Sequence, residues 1–250
     1  MGDYTYARQH LLMARGLEQQ ALGNASIPYL ETSANLMLSY CRPGAAEGQS
    51  YEEQFETDLQ AATVIRYELA VMQNALGECY VYDGKTDAAL RHLQAAYDAI
   101  ADASGESTTL KAEVIIWLSM ALVKAGHDGA ARQLLESDKE TVSIGVKRQP
   151  RLGARLELAL GLLTEAEGNA RDAIPHFTSA IGILRDCLGD QDPEQIWPEL
   201  SLVEVELRVG EEDVARQHLV TAKSIVDKYY DPSAMLSIRA AEFAKRLHLT

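Results

Sequence analysis

Gly84, Gly126, Gly168 and Gly210 stand 42 residues apart in a chain of 250. The same step joins Ala89 to Ala131, Ala173 and Ala215, joins Leu93 to Leu135, Phe177 and Leu219, and upstream joins Leu76 to Leu118, Leu160 and Leu202. Four columns moving at one stride restrict the chain to a stack of equivalent units, each too small to bury its own apolar face and dependent on its neighbours to do so. The segments GKTDAALRHLQAA at 84–96 and GNARDAIPHFTSA at 168–180 show the likeness directly.

Within a unit the apolar spacing is helical. A stripe such as Leu76, Cys79 and Tyr80 precedes the glycine, and a second such as Ala89, Leu93 and Ala96 follows it at steps of three and four. The glycine suits the left-handed residue that closes a helix and lets the chain reverse. Each unit is therefore predicted to be a helical hairpin, A then B. Alanines at the ends of the B stripe let the backbones approach, and the Leu or Phe between them fills the gap.

Leu76, Gly77, Tyr80, Gly84, Ala89, Leu93 and Ala96 in one unit, and Leu160, Gly161, Gly168, Ala173, Phe177 and Ala180 in another, resemble the tetratricopeptide repeat (TPR). Ser119 and Val203 depart from its small glycine, and Leu122, Thr164 and Glu206 from its tyrosine. The 42-residue step resembles the long-helix variant of kinesin light chains and of bacterial peptide-sensing regulators, and LGDQDP at 188–193 resembles the kinesin-light-chain linker. The resemblance implies an all-α, right-handed superhelical solenoid of antiparallel helix pairs, about twelve helices in all.

The expected organisation is one solenoid over 1–250. Residues 65–106, 107–148, 149–190 and 191–230 form regular repeats, and 26–64 a divergent repeat with an insertion at 42–50, where CRPGAAEGQS is small and polar. YARQHLLMARGL at 6–17 aligns with VARQHLVTAKSI at 214–225, so 3–22 is expected to be a helix B with no helix A before it. Residues 231–249 are expected to be a helix A with no helix B after it. Such an out-of-frame chain is either a piece of a longer protein or complex, or an array capped by single helices.

No catalytic constellation is present: the chain holds no Gly-rich phosphate loop, nucleophile elbow, HExxH or paired CxxC. His10, His92, His176 and His218 recur just before the central bulky residue of helix B. Equivalent positions in stacked units lie too far apart to converge on one ion, so no metal and no cofactor is expected. The formal charge of −14 opposes nucleic acid and acidic membranes and favours basic partners. The apolar run VIIWLSMALV at 114–123 is too short to span a bilayer. Cys41, Cys79 and Cys187 lie in apolar helical stretches, which suits reduced thiols and a cytoplasmic location.

The family register implies that A helices line the concave face and places Asn74, Glu78, Ile116, Met120, Leu158, Leu162, Leu200 and Glu204 inward. A face apolar at its centre and acidic at its ends is expected to take an amphipathic helix or an apolar-basic peptide, unless curvature or the terminal helix already covers it. Lys147, Arg148, Arg151 and Arg155 form a basic cluster, either a solvated turn or a seat for an acidic group. The family's carboxylate clamp is absent, and its asparagine ladder survives only at Asn74. The expected function is a non-catalytic protein–protein interaction scaffold. The alternative is the ligand- or peptide-sensing domain of a larger regulator.

Overall fold

The computed structural model describes residues 4–45, 47–101 and 107–249, and every regular element among them is helical. α1 is Tyr4–Leu22, α2 Ile27–Cys41, α3 Gly48–Ala61, α4 Arg66–Tyr82, α5 Thr86–Ala99, α6 Ser107–Lys124, α7 Asp128–Ser137 and α8 Lys139–Arg148. α9 is Pro150–Ala166 and α10 Ala170–Leu188; a 3-10 turn at Pro193–Gln195 leads into α11, Ile196–Val209, followed by α12, Glu212–Tyr229, and α13, Met235–Arg246. The hairpins are α2/α3, α4/α5, α6 with α7 and α8, α9/α10 and α11/α12. Each A helix packs on its own B helix and on the next A helix, so the units stack in chain order.

The repeat glycines do what their spacing asks. Gly84, Gly126, Gly168 and Gly210 have φ of 72, 75, 88 and 85°, in the left-handed region that a side chain resists. The B-helix columns are the centre of each hairpin: Ala89, Leu93, Ala173, Phe177, Ala215 and Leu219 are all fully buried. The A helix answers with a small residue. A Cβ built at Gly77 would sit 2.4 Å from Leu93 Cγ, and one at Gly161 would sit 2.4 Å from Phe177 Cε1.

The unit at 107–148 departs from expectation by dividing its B helix, which raises the count of α-helices to thirteen among the described residues. Position 138 explains the break. It falls in the column of Ala96, Ala180 and Ala222, but aspartate cannot be buried there against a helix backbone. The chain instead turns at Asp138, whose carboxylate accepts from Tyr97 Oη at 2.8 Å and lies 3.6 Å from Lys111 Nζ. Gly145 then restores the close approach in α8, where an added Cβ would meet Ala112 Cβ at 2.3 Å.

Two further differences concern the first unit. The inserted loop is shorter than expected, because α3 already begins at Gly48. The cysteines are not all free thiols: Cys41 and Cys79, 38 positions apart in sequence, form a disulfide with Cα atoms 5.4 Å apart. α2 and α4 are successive A helices lying side by side, so stacking brings together two cysteines that apolar burial alone made look inert. The disulfide removes the cysteine argument for a reducing compartment. No helix among the described residues is long and apolar enough to cross a membrane.

The two ends of the array meet. The Asp231 N–H donates to the Pro43 carbonyl at 3.1 Å, joining the segment after α12 to the loop after α2. Gly44, with φ of 64°, packs so closely on Ala234 that an added Cβ would lie 2.4 Å from the alanine Cβ. Met235 Sδ would meet a Cβ at Gly84 at 3.3 Å. Tyr230 Oη donates to the Pro193 carbonyl at 2.9 Å and so braces the closing segment against α11.

Gly161→Ala isolates the packing rule. Helix propensity alone would stabilise the variant by about 1 kcal/mol, whereas overpacking against Phe177 costs about 1–3 kcal/mol. The expected outcome is a lower urea midpoint with an unchanged slope. A raised midpoint would mean that α9 and α10 separate freely.

Candidate functional site on the inner face

The inner face is built from the A helices and is closed by the loop 42–45 against 230–235. At its centre lie Tyr82 from α4, Trp117 from α6 and Trp197 from α11, with ring centroids 5.7 Å apart for Tyr82–Trp117, 5.4 Å for Tyr82–Trp197 and 6.3 Å for Trp117–Trp197. Arg155 Cζ stands 5.1 Å from the Trp117 ring centre, and Lys124 Nζ 4.7 Å from that of Trp197. A cation held over an aromatic face away from water gains more than an exposed one.

Around this cluster runs a network of ion pairs linking five units. Arg42 Nε donates to Glu78 Oε1 at 2.6 Å. Arg155 donates to Glu113 Oε1 at 2.5 Å and to Glu194 Oε1 at 3.3 Å, and lies 3.9 Å from Glu78 Oε1. Arg151 Nε donates to Glu194 Oε2 at 2.6 Å. Burial alone would raise the Glu78 carboxyl; the Arg42 and Arg155 guanidinium groups outweigh it and hold it below the usual carboxylate range. Burial, followed by the charge on Glu78, pushes Tyr82 up to about 12. Burial, followed by Arg239, lowers Lys124 to about 8.

Three clefts open beside this network. One of about 540 Å³ lies between Arg42, Gly44 and Tyr82 on one side and Tyr230, Met235 and Arg239 on the other. A second, about 640 Å³, lies between Tyr4, Arg8 and Pro43 and the segment 228–232. A third, about 390 Å³, is lined by Glu31, Asn35, Arg42, Asn74, Glu78 and Glu113 from α2, α4 and α6 and the loop after α2. In this third cleft Asn74 Oδ1 is buried without a hydrogen-bond partner, and no cation among the described residues pairs with Glu31. Arg42 belongs to the first and the third.

The inward positions named from the sequence divide accordingly. Asn74 and Glu78 come together in the third cleft. Ile116, Met120 and Leu200 are fully buried, so they present no open apolar groove in this state. Leu158 is 6% exposed and borders the aromatic cluster, Leu162 is half-buried, and Glu204 pairs with Arg208 and Arg239. Ile116 and Met120 belong to the main apolar cluster, and Leu200 to the cluster formed with side chains of α12 and the terminal helix α13. The basic cluster also divides. Lys147 and Arg148 stay at the surface of α8, while Arg151 and Arg155 turn inward on α9.

Arg42, Tyr82, Trp117, Glu194, Trp197, Tyr230 and Arg239 were not singled out from the sequence. Arg42 sits in the irregular loop and Glu194 in a linker, where the repeat register says nothing. The two tryptophans, the only ones in the chain, were the available signal. No group of three or more His, Cys, Asp or Glu side chains among the described residues is arranged to hold a metal ion. The inner face presents paired charges, flat aromatic faces and carboxamides.

No protein-family model and no curated protein matches the chain. Solved structures do. A Rap protein complexed with Competence and Sporulation Factor superposes with a TM-score of 0.64 at 12% identity, covering 98% of this chain and 76% of that one. The apo form of RapI gives 0.55 at 14% identity, covering 98% and 70%. BtubC (BKLC) from P. vanneervenii gives 0.53 at 17% identity, covering 98% and 91%. The fold is an all-α helical-repeat solenoid.

Arg42→Met tests the ion network. Because the folded-state pKa of Glu78 is depressed, its contribution is fully present above the ordinary carboxylate pKa of about 4.5 and is lost as pH falls through the folded value. Stranding this buried carboxylate should cost about 3 kcal/mol at neutral pH, and progressively less as the pH falls below the ordinary carboxylate pKa of about 4.5. Equal losses at pH 7 and pH 3, measured by urea unfolding, would assign Arg42 a packing role instead.

Proposed function

We propose that this chain is a non-catalytic peptide-responsive interaction module, in which a short apolar-basic peptide occupies the cleft between α2, α4 and α6. The observation that carries the reading is the Asn74 carboxamide oxygen, buried, unpartnered and facing a cleft bordered by carboxylates. A buried acceptor left empty is costly, and a peptide N–H is its natural donor. Asn35 supplies a second carboxamide in the cleft, and Glu31 and Glu113 favour a cationic side chain.

The site also suggests how occupancy would be felt elsewhere. Arg42 lines the cleft and immediately precedes the loop that closes on 231–235. A peptide that competes for Glu78 or displaces Arg42 would bind the closed and opened arrays with different affinity, the only way a ligand can shift such an equilibrium. The likeness to a Rap protein crystallised with Competence and Sporulation Factor supports a regulatory use of this fold. This favours the sensing alternative over a helix-binding groove, because Ile116, Met120 and Leu200 are covered.

The test is a thermal-shift screen of the full chain against heptapeptides containing one Arg or Lys among apolar residues. A binding peptide should raise Tm by mass action, about 2.7 kcal/mol of stabilisation at one hundred times Kd. Asn74→Ala should weaken it at least tenfold, about 1.4 kcal/mol. The same peptide should change hydrogen exchange at 43–45 and 231–237. A screen without any shift, or a shift indifferent to Asn74→Ala, would defeat the assignment of this cleft.

A further inference from the structure

The helix α1 wears its chemistry inside out. Its cations turn onto α2: Arg8 NH2 donates to the Ser39 carbonyl at 2.6 Å with its guanidinium 3.9 Å from the Tyr40 ring centre, and Arg15 NH2 donates to Tyr29 Oη at 2.8 Å. Its apolar side turns to solvent, with Met13 66% and Leu17 67% exposed. α1 alone among the described helices contains no buried residue.

The repeat explains the inversion. Ala7, Leu11, Ala14 and Leu17 align with Ala215, Leu219, Ala222 and Ile225 of α12, all of which are fully buried there, partly against α11. In α1 the same columns are exposed or half-exposed. α1 makes the contact that a helix B makes with the following helix A, here α2, and among the described residues no helix packs on its other face.

The regular repeats specify what a helix seated on that face must carry. His92 Nδ1 lies 2.6 Å from Gln73 Oε1, His176 Nδ1 2.8 Å from Glu157 Oε2, and His218 Nδ1 2.8 Å from Glu199 Oε2, each pair 19 residues apart. In the remaining unit the same two positions are Ile115 and Leu134, both apolar, so the pair changes together. Four residues after the acceptor comes a small residue in two of the three pairs, Gly77 against Leu93 and Gly161 against Phe177, with the larger Val203 in the third. α1 carries His10 in the histidine column, exposed and edge-on to Tyr6, with ring centroids 4.4 Å apart and planes at 61°.

The geometry points to α1 as a docking face for an amphipathic helix of a partner protein, bearing Glu or Gln four residues before a small residue, the carboxylate or carboxamide pairing with His10 and the small residue seating over Leu11. The charge pattern selects a protein over a lipid surface: Arg8 and Arg15 are turned inward, and the chain carries −14 overall. It also excludes the terminal helix of a second copy. In α13 the two required positions are Ala241 and Lys245, which offer His10 no acceptor and place a long cation over Leu11. The face is separate from the inner clefts and does not rest on the function proposed for them.

The probe is a labelled synthetic peptide of residues 150–166, which presents Glu157 and Gly161 in the required spacing, titrated against the full chain by fluorescence anisotropy. Saturable binding is expected. It should fall at least tenfold, about 1.4 kcal/mol, when the chain carries Leu17→Glu and when the probe carries Glu157→Lys or Gly161→Leu. Asn74→Ala should leave it unchanged, which separates this face from the inner cleft, and a peptide of residues 235–246 should not bind. Leu17 is exposed, so Leu17→Glu should keep the wild-type melting temperature. No binding, equal binding of a scrambled probe, or binding indifferent to Leu17→Glu overturns the proposal. Sedimentation that reveals a dimer dissolved by Leu17→Glu overturns it too, by assigning the face to a second copy.

Discussion

Everything in this molecule depends on how closely the two helices of a hairpin approach. Leu93 reaches into the space left by Gly77, and Phe177 into that left by Gly161, with alanines on either side allowing the backbones to close. That contact sets the thickness of a unit. The thickness, repeated, sets the angle at which the next A helix lies, and the sum of those angles brings Asp231 to Pro43 across nearly the whole length of the chain. The meeting of the ends is therefore a product of small residues far from it, accumulated over five hairpins.

The columns of glycine, alanine and leucine were legible in the sequence because each reports a local requirement: a positive φ, a close approach, a filled gap. What the columns could not show was anything that depends on two units at once. Asp138 stands in an alanine column, and its consequence, the division into α7 and α8, follows only once Tyr97 and Lys111 are seen to receive it. The disulfide needed Cys41 and Cys79 to be placed on adjacent helices. The inward register brings Asn74 and Glu78 to one cleft, but it does not show what packs over Ile116, Met120 and Leu200, which lie in the apolar core.

The polar interior has a comparable logic. Arg42, Arg151 and Arg155 answer Glu78, Glu113 and Glu194 so that the charges within the array compensate, and the surplus acidity of the chain resides elsewhere. An inner wall on which most charges are already paired discriminates by position, so a ligand must match where the charges lie. The unsatisfied Asn74 oxygen marks a place on the α2–α4–α6 wall where such a match is left incomplete.

The covalent link between α2 and α4 has a mechanical consequence. Because Cys41 and Cys79 tie the first two A helices together immediately beside the Arg42–Glu78 pair, those two hairpins can only travel as a single rigid piece. Any breathing of the ring must then be taken up beyond α4. The thin spot is the unit whose second helix is already broken at Asp138: a spring with one clamped end yields at its notch.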